Sequence, residues 1–180
     1  MTLKVLLSGT FSSGKTTTLR RLRVALLGTG IATELTTEAA RGCPLPLNRE
    51  QDANTSTWLL GDMIRQESVL RARTDVAVVL CDGGPPDVLA HDQLDADHVV
   101  ARVCSAWQQT YDLTFWARPD PLRAVEGDGL RVVDDGYRAA IDGKVARAFE
   151  RLGVSPQELP SSTRDRVVAM AASVRRLVGV

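Results

Sequence analysis

The sequence carries no excess charge of either sign. Lys plus Arg and Asp plus Glu number 22 each over 180 residues, so no global basic field points to nucleic acid as a partner. Cysteine is scarce and odd in number: Cys43, Cys81 and Cys104 lack metal-ligand spacing, which predicts a reduced intracellular protein, with Cys81 in the core at the end of an apolar run. The two histidines, His91 and His98, have no partner at metal spacing and are expected in structural or surface roles. No apolar run approaches membrane-spanning length, and the first residues lead into a strand without a signal-peptide pattern. The expectation is a soluble, cytoplasmic protein with no membrane partner. Repeats and low-complexity tracts are also missing. The length suits one domain, residues 1–180, large enough for a sheet covered on both faces, and leaves the oligomeric state open.

What is present is concentrated near the start. Gly9-Thr10-Phe11-Ser12-Ser13-Gly14-Lys15-Thr16 matches the P-loop pattern of two glycines spanning four residues, then Lys, then Ser or Thr. Glycines allow the chain to wrap so that successive backbone N–H groups converge on an anion. In such a loop Gly9, Thr10, Ser12, Ser13, Gly14, Lys15, Thr16 and Thr17 surround the phosphates of ATP or GTP. Lys15 supplies a point charge against the β- and γ-phosphates, and the Thr16 hydroxyl is a ligand for Mg²⁺. The flanks agree. Leu3 to Leu7 is a short apolar run suited to a buried parallel strand, and Leu19, Leu22, Leu26 and Leu27 make one apolar face of a helix from Thr16 to Leu27, ended by Gly28.

Further along, Ile31 to Thr36 is expected as the second strand, with Glu38 and Arg41 three residues apart at its carboxyl end, where open α/β sheets bind ligands. They are candidates for the acceptor side, or equally a solvated ion pair. Asn48 to Ala72 is expected to be largely helical, with Trp58, Leu59, Met63, Ile64, Val69 and Leu70 inward and Arg65, Glu67, Arg71 and Arg73 mostly outward. Val76 to Cys81 is the clearest central strand, and Asp82 at its end makes the Walker-B arrangement of a carboxylate near Mg²⁺. Helices are expected from Pro85, over Asp97 to Gln109 and over Ile141 to Leu152. The fourth strand is read as Tyr111 to Trp116, a short edge strand between Gly153 and Pro160, and a last helix capped by Ser161 or Ser162. Between the fourth strand and the next helix, charged residues dominate. This stretch, about 118–136, is read as a lid whose Arg118, Arg123 and Arg131, with Arg138 just beyond, neutralise transferring phosphoryl oxygens.

The blocks GTFSSGKT, TTEAAR, VAVVLCDGGPPDVLAH and FWARPDPLRAVEGDGLRVVDDGYRAAID together resemble the small P-loop ATPase/kinase family that includes the nicotinamide riboside kinase domain, an AAA-like group. They resemble thymidylate and deoxynucleoside kinases more distantly. The resemblance implies a three-layer α/β fold with a parallel five-stranded sheet in the order 2-3-1-4-5 plus a lid. It also implies that Lys15 and Thr16 serve phosphate and Mg²⁺, that Glu38 and Arg41 form the acceptor-side pair, and that Asp82 is the Asp of an Asp-Arg-Gly type motif. Here Gly83 stands where that motif has Arg.

The resulting expectation is ATP-dependent, Mg²⁺-requiring phosphoryl transfer to a nucleoside, nucleotide or similar small hydroxyl acceptor. Lys15, Asp82, Arg123 and Arg131 are the catalytic candidates, with Thr16 and Asp82 as metal ligands. Two rivals remain open at this stage: a regulatory nucleotide switch acting through a protein partner, and a kinase of modified DNA or polynucleotide ends.

Overall fold

A computed structural model describes residues 2–91, 94–95, 97–120 and 132–179. Five strands, β1 (Leu3–Ser8), β2 (Thr33–Leu35), β3 (Val78–Asp82), β4 (Leu113–Trp116) and β5 (Gln157–Glu158), form one sheet in the order β2-β3-β1-β4-β5. Every pairing is parallel, with Leu6 opposite Cys81 and Thr114. Parallel strands need crossovers, and the helices that supply them cover both faces of the sheet. These are α1 (Lys15–Leu27), α2 (Ala53–Arg71), α3 (Pro85–His91), α4 (Val99–Gln108), α5 (Asp135–Arg151) and α6 (Thr163–Val178).

Side chains alternate along each strand, so the apolar runs are divided between two cores. Val5, Leu7, Val78, Leu80 and Phe115 pack with Leu19, Leu22 and Leu26 of α1 and with Met170 and Val174 of α6. Leu6, Val79 and Cys81 point to the other face, where Leu70 of α2 and Tyr111 meet them. On that face α2, α3, α4 and α5 share a further cluster that includes Leu59, Val88, Cys104 and Ala148.

Several elements differ from the sequence expectation for local reasons. The expected helix from Asn48 begins instead with a 3₁₀ turn, Asn48–Glu50, and starts afresh at Ala53, because the Asp52 carboxylate caps it by accepting the Thr55 N–H at 2.9 Å. The helix expected from Ile141 starts earlier, at Asp135, where Asp134 accepts the Tyr137 N–H at 2.9 Å. Ser162 caps α6, and β5 is a two-residue edge strand as its flanking prolines require. Ala117, immediately after β4, is fully buried.

The clearest reversal is on α2. Val69, expected inside, is exposed, whereas Glu67, expected outside, is 1% exposed. Helical spacing puts Glu67 on the stripe of Leu60, Met63 and Ile64, and the partner that makes this tolerable is far away in sequence. Lys4 of β1 lies 2.6 Å from Glu67 Oε2, beneath the rings of Trp107 and Tyr111. Tyr111 Oη and Trp107 Nε1 donate to the same carboxylate at 2.7 and 2.8 Å. A buried pair is costly to break because the survivor keeps its charge. Lys4→Met is therefore expected to lower unfolding free energy by about 3–5 kcal/mol in urea denaturation, with Glu67→Gln milder.

Candidate functional site

The P-loop follows β1 directly, and its glycines are sterically required. Gly9 has φ of +149°, and a Cβ there would lie 2.2 Å from the Ala117 carbonyl oxygen. Gly14 is left-handed at φ +85° and starts α1 without a side-chain cap, so the first-turn N–H groups remain available to an anion. The hydroxyls of Thr10, Ser12 and Ser13 are buried without hydrogen-bond partners among the described residues. Lys15 Nζ donates to the Gly9 carbonyl and, at 3.0 Å, to that of Thr10. Thr17 follows in the first turn of α1, exposed.

β3 delivers Asp82 beside this loop. The Thr16 hydroxyl donates to Asp82 Oδ2 at 2.6 Å, and the Asp82 N–H donates to the Thr36 hydroxyl at 3.0 Å. Asp82 is 3% exposed, and its Oδ1 accepts no hydrogen bond from the described residues. Burial raises its pKa above the ordinary carboxylate value. The Lys15 charge and the Thr16 hydrogen bond pull it back, while Glu38 and Asp87 push it further up. Thr16 and Asp82 thus present hard oxygen donors side by side. Among the described residues no cluster of three or more His, Cys, Asp or Glu could hold a metal alone. That donor set fits Mg²⁺, which binds through one or two protein oxygens together with phosphate and water.

A cavity of about 110 Å³ opens next to the loop on the α2–α5 side. Lys15, Glu38, Arg41, Asp82, Asp87 and His91 reach its wall, which is otherwise largely apolar, with Leu59, Met63, Val88, Ile141 and Val145. Glu38 and Arg41 both line it and also pair with each other, Arg41 Nε lying 3.0 Å from Glu38 Oε2. Gly83 has φ of +85°, so an arginine there would be strained, and its Cβ would sit 3.7 Å from the Asp87 carboxylate.

Sequence reasoning passed over three site residues. His91 was assigned a structural or surface role, yet it lines the cavity; its pKa is lowered to about 4 by burial and by the Lys15 and Lys144 charges, so it is neutral at physiological pH. Asp87, in the first turn of α3, was given no role from the sequence. Arg166 of α6 is 2% exposed and donates to the carbonyls of Ser13, Pro160 and, at 2.8 Å, Arg118, fastening the P-loop to the far edge of the sheet. The only signal for these three would have been their spacing to distant partners, which the chain order hides.

Arg123 and Arg131, the lid candidates, lie outside the described residues. The flanks are described. Arg118 is committed to Asp142 at 3.2 Å and lies over the Trp116 ring, and Arg138 is buried with Asp135 2.9 Å away. Arg49 pairs with Asp134 at 2.5 Å and covers the Tyr137 ring, which in turn stacks on Phe11 of the P-loop.

Strand order, P-loop, and an acid at the end of the neighbouring strand together define a P-loop NTPase fold. Residues 4–166 match the family described as AAA domain, and the chain belongs to that family. No curated protein matches it by sequence. Among solved structures it is similar to deoxyadenosine kinase from M. mycoides, with a TM-score of 0.65 and 9% identity over 97% of this chain and 100% of that one. It is also similar to thymidylate kinase from Candida albicans, with a TM-score of 0.59 and 12% identity over 99% and 92% of the two chains. At these identities the likeness is one of fold, that of P-loop nucleoside and nucleotide kinases. Among the described residues no helix is long and apolar enough to cross a membrane.

Two outcomes follow from the titrating groups. Folding raises the Asp82 pKa, so it favours the protonated form; that contribution is present below the ordinary carboxylate range and is lost as pH rises through the raised value. At neutral pH the charge is a burden. Asp82→Asn, which keeps an oxygen for the Thr16 hydroxyl, is expected to melt higher than wild type in metal-free buffer at neutral pH, with the gap closing on acidification. For His91 the folded pKa of about 4 lies below the ordinary 6.5, so the unfolded chain takes up more protons and stability falls as pH drops through that interval. His91→Gln should flatten this limb of a melting-temperature profile.

Proposed function

We propose that the protein catalyses ATP-dependent transfer of a phosphoryl group to the hydroxyl of a small, nucleoside-like acceptor. The observation that carries this reading is the placement of one cavity against both the phosphate loop and three carboxylates, those of Glu38, Asp82 and Asp87. In this reading the loop N–H groups and Lys15 bind and orient the donor phosphates, which accounts for most of what phosphoryl transfer requires of a protein. Thr16 and Asp82 hold Mg²⁺, which when bound neutralises charge on the β- and γ-phosphates. Glu38, fixed by Arg41, accepts the hydroxyl proton of the acceptor. The apolar wall from α2, α3 and α5 excludes water from the transfer, and neutral His91 offers a hydrogen-bonding group without adding charge. Arg123 and Arg131 belong to the same proposal as lid residues over the transferring group. GTP in place of ATP is compatible with every contact described.

The charge balance at the wall supports an acceptor that arrives without a phosphate of its own. Arg41 already faces Glu38, Lys15 faces the P-loop carbonyls, and position 83 contributes a glycine. A nucleoside monophosphate would bring negative charge to a surface already bearing three carboxylates, and monophosphate sites are built from arginines.

The test is a radiolabel-transfer assay with ATP and Mg²⁺ against paired panels of nucleosides and nucleoside monophosphates. Label should pass to one or more nucleosides and not to the corresponding monophosphates, and Lys15→Ala should lose both transfer and the ATP-induced rise in melting temperature. Transfer to monophosphates alone would refute the acceptor class. Slow hydrolysis that no acceptor accelerates would favour a nucleotide switch.

A further inference from the structure

Asp87 was assigned no step in the chemistry just described beyond its charge on the cavity wall, yet it meets the phosphate loop at both Gly9 and Lys15. Its Oδ1 accepts the Gly9 N–H at 3.0 Å and its Oδ2 accepts the Gly84 N–H at 2.9 Å. Those two N–H groups belong to backbone with little freedom. Gly9 is pressed against the Ala117 carbonyl, and a Cβ on Gly84 would come within 2.7 Å of Leu6 Cδ1. A carboxylate with two equivalent acceptor oxygens satisfies both, whereas an amide would turn a donor toward one of them. The same Oδ1 lies 3.8 Å from Lys15 Nζ, whose other partners are the carbonyls of Gly9 and Thr10.

From this arrangement we infer that Asp87 is a positioning residue of the phosphate loop, one that acts through Lys15. It fixes the start of the loop by holding Gly9 against the turn after β3, and it competes with an incoming polyphosphate for the lysine ammonium. The inference rests on the reading of the loop as a triphosphate site. Its physical consequence has an unusual sign. A group that merely supports the loop weakens ligand binding when removed; a group that also competes for the binding cation strengthens it. The competing contact lowers apparent affinity for the ligand in proportion to how firmly it holds the lysine. In return it keeps a charged side chain from wandering within a half-closed cavity lined by carboxylates.

The experiment is calorimetric titration of inorganic tripolyphosphate and of a nonhydrolysable ATP analogue, with Mg²⁺, into wild type, Asp87→Asn, Lys15→Ala and the double variant, each checked by thermal melting. Asp87→Asn, which gives up one loop hydrogen bond along with the charge, is expected to bind tripolyphosphate about two- to fivefold tighter than wild type, the release of the lysine outweighing the lost tie. That gain should disappear in the Lys15→Ala background. Asp87→Glu, which restores the charge, should return affinity toward wild type, and Asp87→Ser serves as a second neutral variant should the asparagine fold poorly. Equal or weaker binding by folded neutral variants overturns the inference. So does a gain that persists without Lys15, which would be plain repulsion of the anion by Asp87. If wild type binds neither ligand, or binds them equally well with Lys15 removed, the triphosphate reading itself fails, and the Asp87 inference with it; Lys15-dependent binding indifferent to Asp87 removes only the latter.

Discussion

The hydrogen bond from the Thr16 hydroxyl to the Asp82 carboxylate joins the two elements on which the rest of the site depends. Thr16 sits in the first turn of α1 and Asp82 is the last residue of β3, so the bond can form only if β1 and β3 are neighbours ending at the same level. The register meets that condition, with Leu7 opposite Asp82. A slip of one residue would turn Asp82 to the other face of the sheet and withdraw it from the loop. Register in turn is held by the alternation of apolar side chains into two separate cores. The position of this carboxylate is thus a consequence of where Leu6, Leu7, Leu80 and Cys81 are buried.

The two ends of the sheet treat buried charge in opposite ways. At the amino end, Lys4 and Glu67 are wholly enclosed, and each oxygen of the carboxylate has a donor: Tyr111 on one, Trp107 and Lys4 on the other. Such a network satisfies itself and offers nothing to a ligand. At the carboxyl end, Asp82 is nearly as buried but one of its oxygens accepts nothing within the described residues, and three P-loop hydroxyls are in the same condition. Their arrangement costs stability in the folded chain, a cost expected at a ligand site and not in a core. The contrast separates a structural ion pair from a binding site without reference to any relative.

Legibility in the sequence followed the same division. The P-loop was readable because glycine spacing, lysine and hydroxyl are contiguous and because their function is performed largely by local backbone. Asp82 was readable because an apolar strand that ends in a carboxylate shows both facts side by side. The order 2-3-1-4-5 came from family resemblance, since periodicity says which segments are strands but not how they are ordered. Glu67 was misplaced because a charge on a helix is ordinarily exposed, and nothing near residue 67 announces that Lys4 waits on a strand sixty residues earlier. Asp87, His91 and Arg166 were passed over for the same reason: their partners are Gly9, the cavity wall and the Ser13 carbonyl, which are remote in sequence.

Gly83 shows how a single backbone position can tie two loops together. In the Asp-Arg-Gly pattern that the sequence resembles, an arginine follows the strand-end acid. Here the backbone at that position is left-handed, which glycine adopts freely and arginine does not, and the space beside it is faced by the Asp87 carboxylate. Restoring the side chain alone would therefore impose backbone strain, although the new guanidinium would gain a carboxylate neighbour. The turn, the glycine and Asp87 form one solution: the backbone twist lets the Gly84 N–H reach Asp87, and Asp87 in turn holds Gly9. A chain that adopts this solution has, in place of an arginine side chain at position 83, a carboxylate tie between the two loops.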